Sequence, residues 1–180
     1  MTCKHTVLGA ALCAMAFAFP AHASAADSGG IGQHHAAEET TTPGAKAKLV
    51  DGVAVAPASA PRRVKRAITA ANRIVDKPYC YGGGHGQWES RCYDCSGTVS
   101  YALGKRGARV LEAPLPSGSF TGWEKGGRGR WITVYANGGH AYVVIAGLRL
   151  DTSMTPGNGP GWSKTQLRQS GYSVRHPRGL

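Results

Sequence analysis

The stretch YDCSGTVSYAL, Tyr93 to Leu103, sets a cysteine between an acid and a Ser-Gly pair at the point where an apolar, helix-like pattern begins. A purely structural cysteine is expected deeper in an apolar run. A thiol at a helix start meets backbone N–H groups that lack intrahelical partners and the positive end of the helix dipole, and both favour a thiolate. The helix continues through Val99, Tyr101, Ala102 and Leu103, with Gly104 or Gly107 able to end it.

Upstream, YCYGGGHGQWESRCY (79–93) is too glycine-rich for a regular element and too aromatic for a disordered linker, so it reads as a shaped loop lining a cleft. Before it, SAPRRVKRAITAANRIVDKPY (59–79) offers Ser59 as an N-cap and Pro61 near the first turn. Val64, Ile68, Ala71 and Val75 then fall on one helical face, and the helix ends before Pro78. Downstream, a Gly- and Pro-rich connection leads to GRWITVYANGGHAYVVIAGLRLDTS, where Trp131, Thr133 and Tyr135 alternate with Ile132 and Val134 as in a strand. NGG from Asn137 signals a hairpin, Gly147 marks the next turn, and GYSVRHP gives a last short strand. Helices followed by antiparallel strands imply an α+β domain, with N-terminal helices packed on a small antiparallel sheet.

The ends of the chain set the expected compartment. Lys4, the apolar run VLGAALCAMAFAF and the small residues AHASAA have the three parts of a secretory signal peptide, taken as 1–23. Leu12 before Cys13 is bulkier than lipid-modification sites usually carry, and no later apolar run would hold the mature chain in a membrane. Residues 24–58, rich in Ala, Gly, Thr and Pro, read as a flexible linker, and 59–180 as the folded domain, expected to be a monomer. The pair His34 and His35 has no ligand set around it, and no metal is expected. The domain carries 18 Lys plus Arg against 6 Asp plus Glu, a formal charge of +12. That surface suits polyanions. Nucleic acid is disfavoured by the export signal and the lack of any recognition motif, so anionic cell-wall polymers fit better, with plain solubility as the alternative.

Without Cys3 and Cys13 the mature chain keeps Cys80, Cys92 and Cys95, an odd set. The simplest arithmetic joins Cys80 to Cys92 across the glycine loop and leaves Cys95 free. Cys92 and Cys95 also form a C-x-x-C pair, readable as a redox site outside its usual βαβ setting, or as half of a zinc site. A thiol nucleophile needs a base. His140 opens an apolar strand where a β-branched residue would be more natural, and Asp151 ends the next strand, so a hairpin through Gly147 brings the two together as base and orienter. His85 lies in the glycine loop and His176 beside Pro177, both readable as surface or structural residues.

KPYCYGGG, YDCSGTVSYAL, GGHAYVVIAG and LRLDTS, in this order, resemble the NlpC-type family of bacterial cell-wall cysteine peptidases, with a compact papain-like fold. The resemblance implies Cys95 as nucleophile, His140 as general base and Asp151 in the third polar position, which is commonly His in that family. It implies Tyr79 beside the nucleophile, with Ser96 supporting it, and places Asp94 toward a cationic substrate amine, with Tyr81 and His85 as further substrate contacts. The activity implied is hydrolysis of an amide bond in peptidoglycan stem peptides, typically γ-D-glutamyl to diamino acid, in a secreted or wall-associated enzyme without a cofactor. Two alternatives stand beside it: an acyl- or amidotransferase or antibacterial effector on the same fold, and a wall-binding protein without activity.

Overall fold

A computed structural model describes residues 41–153 and 159–180. The expected signal segment, His34 and His35 lie outside the described residues. In chain order the elements are β1 (Thr41–Thr42), β2 (Lys48–Val50), β3 (Val53–Pro57), α1 (Arg62–Asn72), α2 (Cys95–Leu103), α3 (Ser117–Phe120), β4 (Lys125–Gly126), β5 (Ile132–Ala136), β6 (Ala141–Ile145), β7 (Leu148–Asp151), β8 (Gly161–Ser163) and β9 (Ser173–His176). The larger sheet has six strands in the order β4-β9-β5-β6-β7-β8, every neighbouring pair antiparallel. The α+β expectation holds.

Alternation decides what each sheet face carries. In the register Val143↔Leu150 and Val134↔Val143, Ile132, Val134, Val143, Ile145, Leu148 and Leu150 share one face and join the main core. That face receives α2, whose residues from Ser96 to Leu103 are all buried. α2 is thus a central helix without a solvent side, which is why its sequence shows so little amphipathic contrast. α1 covers it from outside with Val64, Ala67, Ile68 and Ala71.

Two local expectations change. Ser59 does not cap α1: its hydroxyl donates to the Gly44 carbonyl at 2.8 Å, and Pro61 occupies the N-cap without a side-chain bond. Residues 41–57, expected within the linker, carry β1, β2 and β3, which form a second sheet in the order β1-β3-β2. Ala54 and Ala56 of β3 enter the main core, and Asn72 at the end of α1 fastens it: Ala54 N–H donates to Asn72 Oδ1 at 3.0 Å, and Asn72 Nδ2 donates to the Ala54 carbonyl at 2.8 Å. Trp162 Nε1 donates to the same Asn72 oxygen at 2.8 Å, tying β8 to the same point. Among the described residues no helix is long and apolar enough to cross a membrane.

Candidate active site

Asp94 starts α2. Its backbone is extended, its Oδ1 accepts from Gly97 N–H at 2.6 Å and its carbonyl accepts from Thr98 N–H at 2.9 Å, so Cys95 becomes the first helical residue. The glycine loop closes onto this turn. Asp94 N–H donates to the Gly83 carbonyl at 3.1 Å and Gly82 N–H to Asp94 Oδ2 at 3.1 Å. A Cβ on Gly97 would collide with the Gly83 carbonyl oxygen, which is why the motif needs glycine there. A disulfide joins Cys80 to Cys92 and leaves Cys95, half-buried, as the free thiol among the described residues.

The histidine is delivered by the β5–β6 hairpin. Asn137 Oδ1 accepts from Gly139 N–H at 2.9 Å and from His140 N–H at 2.8 Å, holding His140 at the mouth of β6. The β6–β7 turn places Ala146 and Gly147 at φ 48 and 90, and the antiparallel register beyond it sets Tyr142 opposite Asp151. His140 Nε2 then lies 2.9 Å from Asp151 Oδ1. Hydrogen bonds from the His140 imidazole and from Ala141 N–H also reach the Cys95 thiol. Carboxylate, imidazole and thiol form one line ending at the start of α2.

Burial pushes the Cys95 thiol up, but the hydrogen bonds from His140 and Ala141 and the charge of His140 outweigh it and leave the thiol below its ordinary range. The hydrogen bonds to Asp151 and Cys95 push His140 up to about 9 against the opposing effect of burial. Asp151, whose side chain is fully buried, would be raised by that burial. Hydrogen bonds from His140 and Ser153 keep it below the usual carboxylate range instead. Ser153 Oγ donates to Oδ2 at 2.8 Å, and Thr152 N–H donates to Oδ1 at 2.7 Å. Both shifts favour the thiolate and imidazolium forms of the pair.

The remaining predicted residues divide. Tyr79 pairs with Tyr93 through the backbone and its side chain is exposed; partial burial, then the negative charges of Cys95 and Asp94, raise its pKa. Ser96 is buried, its hydroxyl donating to Asp94 Oδ1 at 3.2 Å. His85 Nε2 sits 3.0 Å from Asp94 Oδ1 and 3.1 Å from Ser96 Oγ. Tyr81 is 95% exposed and belongs to the outer wall of the glycine loop. His176, on β9, directs Nδ1 to the Gly127 carbonyl at 3.0 Å and stands apart from the line. The carboxylate of Asp94, which the resemblance places toward a substrate amine, accepts from Gly82 N–H, Gly97 N–H and the Ser96 hydroxyl and lies beside His85.

Sequence reading missed three neighbours. Arg149, buried on β7, holds Nε 3.8 Å from Asp151 Oδ2. Tyr142 stacks on Tyr135 with ring centroids 4.7 Å apart, and Tyr172 stands edge-on to both Tyr142 and His140, at 5.3 Å and 6.4 Å. The alternation of β6 and β7 could have shown that Tyr142, Arg149 and Asp151 share a face. Nothing local announces Tyr172, which arrives from the far end of the chain. Among the described residues no group of three or more His, Cys, Asp or Glu is arranged to hold a metal.

No family model matches the chain, and no curated protein matches it. Among solved structures it is similar to the peptidoglycan hydrolase RipB from Mycobacterium tuberculosis, with 23% identity over 65% of this chain and 68% of that one, TM-score 0.48. It is also similar to a mutated form of the Resuscitation Promoting Factor Interacting protein RipA, with 20% identity over 64% of this chain and 62% of that one, TM-score 0.46. A third is the P60 domain of an antigen from M. avium subspecies paratuberculosis, with 18% identity over 63% of this chain and 94% of that one, TM-score 0.44. The chemistry assigned below rests on this chain's own residues.

Proposed function

We propose that this protein is an exported thiol hydrolase that cleaves an amide bond in peptidoglycan stem peptides, of the γ-D-glutamyl to diamino acid type. The observation that carries the reading is the line from Asp151 through His140 to Cys95, ending at the N-terminus of a buried helix. The substrate class comes from the motif resemblance to NlpC-type peptidases; the signal-like start and the Cys80–Cys92 disulfide fit an extracytoplasmic site of action.

Cys95 attacks the substrate carbonyl carbon as thiolate. The carbonyl oxygen takes up the negative charge, met by first-turn N–H groups of α2 and the Tyr79 hydroxyl. His140, as imidazolium, gives its proton to the departing amine as the C–N bond breaks, leaving an acyl thioester and a neutral imidazole. The imidazole then removes a proton from water, whose oxygen attacks the thioester. Collapse of that intermediate releases the carboxylic acid and restores thiolate and imidazolium. Asp151 keeps the ring in the orientation and charge state that both half-reactions need.

Incubating the purified protein with defined muropeptides and identifying products by mass spectrometry tests this. The expected products are paired fragments separated by one water at the γ-D-glutamyl bond, absent with Cys95→Ala. Intact muropeptides after incubation with the wild-type protein would overturn the reading, and products carrying a second muropeptide in place of water would reassign the protein as a transferase.

A further inference from the structure

The outward side of α1 is a surface of unneutralised guanidinium groups. Arg62, Arg63 and Arg66 stand at i, i+1 and i+4, so 62 and 63 each neighbour 66 on the helix surface. Arg109, in the turn that follows α2, joins them: after burial, the positive charges of Arg109, Arg62 and Arg63 are what lower the Arg66 pKa. None of the four ion pairs among the described residues involves these arginines. Arg66 Nε is buried without a hydrogen-bond partner.

This arrangement costs stability. The first turn of α1 carries no acidic residue, and Arg62 and Arg63 set positive charge against the positive end of the helix dipole. The arginines are not needed to cap α2, whose closing carbonyls already accept from the backbone: Ser100 O from Gly104 N–H, Ala102 O from Ala108 N–H and Leu103 O from Val110 N–H. A cluster that opposes its own helix dipole is compensated by an anion from outside.

The geometry points to a docking site on α1 for a phosphodiester-linked wall polymer, held by Arg62, Arg63, Arg66 and Arg109. Planar guanidinium forks suit phosphate, which accepts two parallel N–H bonds. No large exposed apolar residue lies on α1 or in 104–110, so the patch lacks the anchors that a lipid surface would take. Neither α1 nor 104–110 contributes an aromatic side chain on which bases could stack, as single-stranded nucleic acid would need. The site lies beyond the C-terminal end of α2, a nine-residue helix of about 13 Å, while Cys95 starts the other end. Polymer held there leaves the catalytic cleft open, so the site acts as a tether to the wall. The wall as location rests on the proposed function; the binding itself does not require catalysis.

The test uses the full chain with Cys95→Ala, so that binding is read without turnover. Fluorescein-labelled poly(glycerol phosphate) is titrated by anisotropy at several salt concentrations. Arg62→Glu/Arg63→Glu, two exposed positions, is expected to weaken binding about tenfold or more and to flatten the salt dependence. The control Lys164→Glu/Arg168→Glu makes the same charge change elsewhere and is expected to leave binding within about twofold. With Cys95 restored, Arg62→Glu/Arg63→Glu is expected to cleave small soluble muropeptides at the wild-type rate. Equal losses in the two double variants would reduce the site to general charge and overturn the proposal. So would tighter binding to anionic phospholipid vesicles or to an oligonucleotide with the same number of phosphates. Inactivity of the wild-type protein on muropeptides alongside intact, Arg62- and Arg63-dependent binding would remove the hydrolase reading and leave the docking site standing.

Discussion

The site holds two histidine–aspartate pairs of nearly the same separation, His140 to Asp151 at 2.9 Å and His85 to Asp94 at 3.0 Å. They differ in what each carboxylate does. Asp151 is fully enclosed, its Oδ1 accepts from the ring, and the imidazole lies between it and the thiol, so its charge reaches Cys95 through His140. Asp94 adjoins Cys95 in sequence, and its charge works directly against the thiolate while its oxygens cap α2 and clamp the glycine loop. An imidazole–carboxylate pair is therefore not a catalytic unit by composition. Its order relative to the nucleophile decides: acid behind base supports the thiolate, and acid beside thiol builds the helix on which the thiol sits.

The difference between the pairs should be greatest in turnover. Cys95→Ser and His140→Ala should each lower kcat for a stem-peptide substrate by about four powers of ten or more, measured by product release. Asp151→Ala should cost about two to four powers of ten, because the imidazolium loses its closest anion in a half-dry cleft; Asp151→Asn should recover little if charge matters more than an acceptor oxygen. Near-wild-type turnover of Asp151→Ala would move the third member elsewhere.

The pH dependence sharpens the comparison. Activity should rise as Cys95 loses its proton below the ordinary thiol range and fall as His140 loses its own near pH 9. The stability gained from the raised His140 pKa is fully present below about 6.5 and lost as the pH climbs through about 9. In Asp151→Ala the alkaline limb of kcat/KM should move to lower pH, whereas His85→Ala should leave it in place.

Smaller effects belong to the structural side. Replacing Cys80 and Cys92 with serine removes a link spanning 12 residues and should lower stability by about 2–3 kcal/mol in denaturant titration, while Cys95 remains the thiol labelled by iodoacetamide. Asp94→Ala should cost about 1–2 kcal/mol through the lost cap and bring the Cys95 pKa down, read as faster alkylation at low pH. If Asp94→Ala instead abolishes turnover with the fold and the alkylation rate unchanged, the carboxylate meets substrate as the motif resemblance implied. His85→Ala should change kcat least, by less than about tenfold.

Much of the site was legible because its signals are local. A capping acid before Cys95, a turn at Ala146–Gly147 and period-two alternation in β6 and β7 each act within a few residues, and together they name the helix start, the hairpin and the pairing of His140 with Asp151. The three-stranded sheet in 41–57 escaped because its core contribution comes from alanines, Ala54 and Ala56, with neither aromatic weight nor a long period. Its order depends on Asn72, distant in sequence, accepting from and donating to Ala54. Ser59 shows the reverse failure: a good local cap residue was taken by the Gly44 carbonyl.

The sequence by itself determined the thiol, its place at a helix start, the base and acid that can reach each other across a hairpin, the odd cysteine and the excess of positive charge. These follow from residue chemistry and from contacts of short range. Tertiary structure alone decided which groups hold each carboxylate, that Arg149, Tyr142 and Tyr172 stand around the pair of His140 and Asp151, and that Arg109 comes near enough to Arg66 for its charge to act there. Those facts depend on packing between segments far apart in the chain, and neither propensity nor period carries information about which distant surfaces meet.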